Sequence, residues 1–405
     1  MPDNGYACVA TDFAGLRNHW NALLATSRSN TIFLSYEWLE SWWRHFRQPG
    51  DRLFLFTMND TRGTPVAIAP LCLTRLRFGG LPLRCLRFVG DGSEDSDYLD
   101  LIVARGHEEG ALQALLDHLL LSNEWDTLLL RGMPEGSPTL EVFPRVSQSR
   151  GLKVQRDLIP CSSVPLPDDW EAYLRTLQPR FRTKLRAGIR YLEQSVDAQV
   201  RVEMCQSIGE LDEYLAALFA LHQQRWVRVD QAGAFSSAAR RAFYRDFAEA
   251  FLRQGWLRLY RLCIDGHIAA VQLGFEYNRR FFQLQEGFDP DQANLSVGIT
   301  LRAWVMRDLI ARRVEVYDFL GGFDEYRQYK ERWGAQPTSS FELLLARPGL
   351  KTQVSLALPQ LVEGAKSAAR RVLPEPLLEL RRRWLTSWRQ RRLRRTGASL
   401  PRGLS

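Results

Sequence analysis

Two carboxylates stand where a charge is costly or useful. Asp318 lies inside the apolar run VEVYDFLGG (residues 314–322), so it either serves chemistry or is satisfied by backbone N–H groups or an arginine. Glu286 closes the run FFQLQEGF (residues 281–288) beside Gly287. A carboxylate there reaches an acceptor's proton through a water, or pairs with a cation across strands. Ser296-Val297-Gly298-Ile299-Thr300 reads as a helix start, with Ser296 as cap and Gly298 allowing close backbone approach. The free N–H groups and partial positive charge of such a start suit an anion; the other reading is an ordinary serine-capped helix with an incidental glycine. Tyr326, Tyr329 and Lys330 follow the pair Gly321-Gly322 on a helix, and Tyr326 and Lys330, four apart, share a face. Lys330 is one of five lysines among 54 basic residues; its alternative is a solvated helix charge. Proton transfer beside a bound anion is the chemistry these types can perform.

Other chemistries find no support. No Ser-His-Asp ordering, Walker loop or HExxH motif occurs. The six cysteines (Cys8, Cys72, Cys85, Cys161, Cys205, Cys263) are scattered singly without a CxxC pair, which predicts small buried hydrophobes and no metal site.

The elements that must position these residues recur. Two strands joined by a turn at Gly63 fill 52–75, and two more joined at Asp265-Gly266 fill 256–278. YLDLIV (98–103) is predicted as a strand, followed by a helix over 111–121 and a strand over 125–133. In the second half a strand over 281–288 precedes a helix over 298–312 and a strand over 314–322. Two copies of one β-hairpin–β–α–β unit account for this. Helices open each half: 35–46, capped by Ser35 and bearing Trp38, Trp42 and Trp43, and a basic helix over 180–193 with amphipathic segments over 211–226 and 237–254. The tryptophans suit core packing better than sugar stacking, and the cations Arg180, Arg182, Lys184, Arg186 and Arg190 either form a solvated face or line a groove for an anion. Asp95, Asp97 and Asp100 suit turn and strand ends, or face the cleft between the halves. A break is expected at 159–168, where three prolines and two serines fall.

Of 405 residues, 45% are apolar and 25% charged, which excludes wholesale disorder. The net charge of +8 is local. From Lys351 onward 13 basic residues face three glutamates, leaving 41 basic against 43 acidic residues before it, so a wide phosphate-gripping face on the body is not expected. No run of about 18 apolar residues occurs. The N-terminal stretch lacks a basic region and an apolar core, so a cytoplasmic location is expected.

The run QLQEGFDPDQANLSVGITL, followed by YDFLGGFDEYRQYKERWG, resembles the cellulose-biosynthesis (CelD-like) acetyltransferases of the GNAT superfamily, as do SYEWLESWWRHF and EDSDYLDLIV. The resemblance implies an α/β fold of two tandem GNAT-like domains, mixed sheets flanked by helices, an arrangement shared with the Fem peptidyltransferases. The domains fall at 1–160 and 161–350, with a basic tail at 351–405. It further implies an acyltransferase carrying an acyl group, acetyl or longer, from acyl-CoA to an amine or hydroxyl of a small-molecule or glycan acceptor of the cell envelope or an exopolysaccharide, without a metal. Residues 296–300 would then hold the coenzyme's pyrophosphate. Glu286 or Asp318 would act as base, Tyr326 or Tyr329 as thiolate acid, and Lys330 would steady the reacting carbonyl. The segment LSVGIT departs from the usual pyrophosphate loop in having one glycine and no leading arginine. Aminoacyl-tRNA as donor, or a catalytically degenerate scaffold in polysaccharide assembly, are the alternatives. In the tail, Leu377, Leu380, Trp384, Leu385 and Trp388 fall on one stripe among arginines, fitting either a helix on an anionic membrane surface or a flexible segment.

Overall fold

The computed structural model describes residues 5–194, 200–228, 233–321 and 326–357, without the side chains of 225–228 and 293–295. The tail stripe at 377–388 lies outside the described residues. Packing divides the chain into a large unit, residues 1–75 and 84–347, and a small one, residues 76–83 and 348–405. The small unit's described part includes a helix over 350–357.

The first half contains β1 (Ala7–Thr11), α1 (Phe13–Leu16), α2 (Trp20–Thr26), α3 (Tyr36–Phe46), β2 (Arg52–Asn59), β3 (Pro65–Phe78), β4 (Leu81–Phe88), β5 (Ile102–Val103), α4 (Glu108–Leu121), β6 (Thr127–Pro134) and α5 (Pro138–Ser149). Then β7 (Lys153–Pro165) leads into α6 (Trp170–Thr176), α7 (Pro179–Gln194), β8 (Val200–Met204), α8 (Ile208–Arg228) and α9 (Ala238–Arg253). The chain closes with β9 (Leu257–Ile264), β10 (His267–Tyr277), β11 (Arg280–Phe288), α10 (Val297–Ala311), β12 (Val316–Asp318), α11 (Arg327–Arg332) and β13 (Gln336–Ala346). Local signals explain the helix starts: the hydroxyls of Ser35 and Ser237 accept from Trp38 N–H and Arg240 N–H, as capping serines do.

The strands join one mixed sheet in the order β1-β2-β3-β4-β6-β13-β7-β12-β11-β10-β9-β8, with β5 beside β3. The repeat is visible in that order: β1-β2-β3-β4-β6 mirrors β8-β9-β10-β11-β12, each ending in a parallel pair bridged by a helix, α4 or α10. This corrects one equivalence. The counterpart of β11 is β4, not YLDLIV, of which only Ile102–Val103 is strand. Its apolar residues are buried as irregular backbone instead. Tyr98 takes φ 53°, Thr31 Oγ1 donates to its carbonyl, and Asp100 holds Ser29 Oγ at 2.5 Å and the Leu101 N–H at 2.8 Å. An apolar run signals burial, but strand form also needs a paired neighbour.

The expected break at 159–168 narrows to its last three residues. β7 continues through Pro160 to Pro165, aligned with all of β13 (residues 336–346) on one side and with Val316–Asp318 of β12 on the other, and only 166–168 leave the strand before α6. Each proline costs the ladder one donor, and this long register outweighs that loss. β13, the last strand of the second half, lies between β6 and β7, and β7 itself crosses the expected 160/161 boundary, so the sheet is continuous there. The strand expected at 314–322 shrinks to three residues, because its partners are only Arg280–Phe282 and Ser163–Pro165 and the chain then turns at left-handed Leu320 (φ 59°).

Trp38 and Trp42 are buried in the core. Trp38 meets Phe243, Phe247 and Phe275 at ring distances of 5.0, 4.8 and 5.5 Å, joining α3 to α9 and β10. All six cysteines are free thiols, five of them buried. Among the described residues no group of three or more His, Cys, Asp or Glu is placed to hold a metal ion, and no helix is long and apolar enough to cross a membrane.

Candidate active site

The parallel pair β11–β12 is bonded only over Arg280–Phe282 and Val316–Asp318. Past that point β11 continues to Phe288 while the other chain turns away, and the strands part. Beside the parting is a cavity of about 690 Å³. Gln283 and Gln285 of β11, Phe319–Gly321 and Tyr326 line it, together with Asp91, Asp95 and Asp97 of the first half.

Asp97 is half-buried in this cavity and accepts the Gly321 N–H at 3.2 Å. Burial, with the neighbouring Asp318 adding to it, pushes its carboxyl up to about 6, although the Gly321 N–H and Lys330 pull the other way. Asp95 is buried, takes the Tyr244 hydroxyl at 2.8 Å and faces Arg240 at 3.3 Å. Asp91 sits between Arg87 and Arg131. Burial raises both carboxyls.

Asp318 occupies the seam rather than the cavity. Fully buried, it accepts Arg280 Nη1 at 2.7 Å, the Leu320 N–H at 2.8 Å and the Tyr98 hydroxyl at 3.0 Å. An arginine, a backbone N–H and a phenol thus satisfy the buried carboxylate, as buried polar groups require. Its partner Tyr98 lies 220 residues away in the first half. Lys330 is likewise no solvated charge. It is buried, and Nζ donates to the carbonyls of Gly321 (2.7 Å), Phe319 (3.2 Å) and Leu320 (3.4 Å), holding the turn that walls the cavity. Burial lowers its pKa, with Asp97 opposing that shift.

Glu286 pairs with Arg302 of α10, not with a neighbouring strand. The same guanidinium donates to the hydroxyl of Tyr329, so these two predicted residues meet through a third that the sequence did not single out. Tyr326 precedes α11 instead of lying on it. It is exposed at the cavity, and its carbonyl takes the Lys330 N–H at 3.0 Å.

At the start of α10, Ser296 adopts φ 53° and its side chain makes no capping bond, which corrects the expected cap. A serine in that conformation cannot fold its hydroxyl back over the first turn. Val297 and Thr300 are buried; Gly298 and Ile299 are half-buried. Packing demands glycine elsewhere nearby: a Cβ on Gly188 of α7 would lie 2.8 Å from Thr300 Oγ1, and one on Gly287 would lie 2.9 Å from the His222 backbone. At Gly298 the nearest atom, Phe288 Cδ1, is 3.4 Å away, an ordinary contact. Packing among the described residues does not ask for a glycine here. On α7, Arg186 pairs with Glu171, and Arg182 donates to the Leu177 carbonyl at 3.0 Å. Arg180, Lys184 and Arg190 are exposed and carry no ion pair among the described residues.

Comparison with known proteins agrees with this geometry. A family model described as an acetyltransferase (GNAT) domain matches residues 179–331. That span runs from α7 through α11 and includes the parted strands. No curated protein matches the chain in sequence. Among solved structures, FemX superposes with a TM-score of 0.57 at 12% identity, over 88% of this chain and 100% of FemX. A conserved protein of unknown function from Bacteroides thetaiotaomicron gives 0.50 at 13% identity, over 84% of this chain and 99% of that one. The likeness is one of fold: two GNAT-like halves of α/β type, the second of which the GNAT model matches.

Proposed function

We propose that the protein is an acyltransferase whose donor binds at the first turn of α10 and whose acceptor enters the cavity beside the parted strands. The observation that carries the reading is Asp97, a carboxylate at the cavity wall pushed up to about 6 and directed by the Gly321 N–H. Such a group is poised to take a proton near neutral pH. The acceptor's amine or hydroxyl attacks the donor's acyl carbonyl and gives its proton to Asp97. The bond to the leaving group then breaks, and the leaving atom takes a proton from Tyr326 or Tyr329. Glu286, held by Arg302, is the second carboxylate at the parting. Asp318 and Lys330 hold the wall rather than react.

The donor is an acyl-CoA, its diphosphate on the N–H groups of residues 297–300. The glycine at 298 that packing leaves unexplained fits a ligand approaching the backbone there. The resemblance to cellulose-biosynthesis acetyltransferases supports an envelope or exopolysaccharide sugar as acceptor. One observation favours aminoacyl-tRNA as donor instead: Arg180, Lys184 and Arg190 make no ion pair among the described residues on α7, which packs on Thr300, and so suit a larger polyanion.

Calorimetry with acetyl-CoA and a longer acyl-CoA tests the donor. Binding by the wild type, abolished in Gly298→Trp, is the expected result. No binding of either thioester by the wild type overturns the acyl-CoA reading and leaves aminoacyl-tRNA to be titrated next.

A further inference from the structure

Arg302 lies in the second turn of α10, where an arginine in sequence reads as a surface charge. It is 1% exposed. Its guanidinium carbon sits 5.1 Å from the ring centres of Phe319 and Tyr329 and 5.2 Å from that of Trp333, a box of three aromatic faces. Burial works against its charge, and Glu286 beside it more than restores the protonated form.

We infer that Arg302 is a positioning residue of the reaction centre: its guanidinium sets Glu286 and Tyr329 at a fixed separation and turns the phenol of Tyr329 into a proton donor. Three observations carry this. Nη2 donates to Glu286 Oε2 and Nη1 to Tyr329 Oη, and a planar guanidinium is a rigid fork, so its two acceptors cannot drift independently. Arginine only donates. The phenol oxygen is therefore the acceptor in that contact, and its own O–H must point to another group. Finally, the cluster has donors to spare: Arg302 Nε and Trp333 Nε1 are buried and meet no acceptor among the described residues. Apolar side chains of similar volume usually replace a buried ion pair at no loss of stability, so stability alone gives no reason to keep this one. Phe319 belongs to both the aromatic box and the cavity wall, which places the cluster against the cavity.

The inference rests on the transferase reading, but one of its tests does not. In the full-length chain, the tyrosinate absorbance of the wild type is titrated against Arg302→Met, Arg302→Lys and Tyr329→Phe. On this guanidinium the cation favours the ionised phenol and the Glu286 carboxylate opposes it, so removing the cation leaves only the opposing charge. One tyrosine should therefore ionise later in Arg302→Met than in the wild type or Arg302→Lys, and Tyr329→Phe should remove that same group. Once a donor turns over, Arg302→Met should lose about 10²–10³-fold in kcat, within the usual range for one proton-transfer group, with donor affinity by calorimetry unchanged. Arg302→Lys should recover part of that loss. A folded Arg302→Met with wild-type kcat, or with a wild-type tyrosinate titration, overturns the inference. If Arg302→Met fails to fold, Arg302→Lys and Tyr329→Phe decide it: a Tyr329→Phe titration identical to the wild type overturns it. A wild type inactive with every acyl and aminoacyl donor would sink the transferase reading alone, since the titration still decides Arg302.

Discussion

The two halves follow one plan and finish it differently. In the second, α10 opens on Val297-Gly298-Ile299-Thr300 with no acid in its first turn. Its counterpart α4 opens on Glu108 and Glu109. Carboxylates there complement the helix's own partial charge and repel any incoming anion. Gly110 of α4 is covered as well: a Cβ on it would lie 2.3 Å from the ring of Tyr6, whose hydroxyl meets His107 Nδ1 at 3.0 Å. Nothing comparable covers Gly298 among the described residues. Duplication kept the scaffold in both halves and an anion-compatible helix start in one. The first half contributes differently, sending Asp97 to the cavity and Tyr98 to Asp318 of the second.

That contrast can be broken. The largest effect is expected from Asp97→Asn, a loss of about 10²–10⁴ in turnover with donor binding by calorimetry unchanged. In the wild type the rate should rise with pH through about 6 as Asp97 deprotonates, and this limb should vanish in the variant. The same carboxyl gives a stability signature. Because its native pKa lies above the ordinary value, the folded state binds the proton more tightly between about pH 4 and 6, and stability falls as pH rises through that window. Urea titrations should therefore find Asp97→Asn the more stable protein at pH 7 and the two nearly equal at pH 4. A variant that is inactive and also less stable at pH 7 would make Asp97 a structural residue.

Asp318→Ala comes next. It leaves the Leu320 N–H, Tyr98 Oη and Arg280 without their shared partner, and about 2–4 kcal/mol of unfolding free energy should be lost. Tyr98→Phe removes one bond of that set and should cost about 1 kcal/mol. If it costs nothing, the seam between the halves does not run through this pair. The smallest effects sharpen the contrast between the helix starts. Lys184→Gln on α7 should weaken donor binding by about 2- to 5-fold and flatten its salt dependence, as loss of one exposed charge does. Glu109→Gln on α4 should leave donor titrations unchanged; a second binding event appearing in that variant would show that the first half retains a site.

Much of this architecture was legible residue by residue. Hairpin turns at Gly63 and Asp265-Gly266, the cap at Ser35, the helical rhythm of 298–312 and the repeat of the unit all depend on neighbours within a few positions, and the chain states them directly. Glu286, Tyr329 and Lys330 were also visible as chemistry-bearing types, though not the Arg302 that joins the first two or the three carbonyls that claim the third. What stayed hidden depends on distant partners. β7 ignores its prolines because β13, about 180 residues away, supplies a full register. YLDLIV is buried without being strand because the ladder positions that would have made it one belong to β4. Asp97 suited a turn or the cleft between the halves, and only the fold set it against Gly321, 224 positions along, where desolvation raises its pKa. Local conformational preference is encoded within a few residues and so can be read from them. Desolvation, charge pairing and strand partnership are properties of what surrounds a group, and only the tertiary structure decides that.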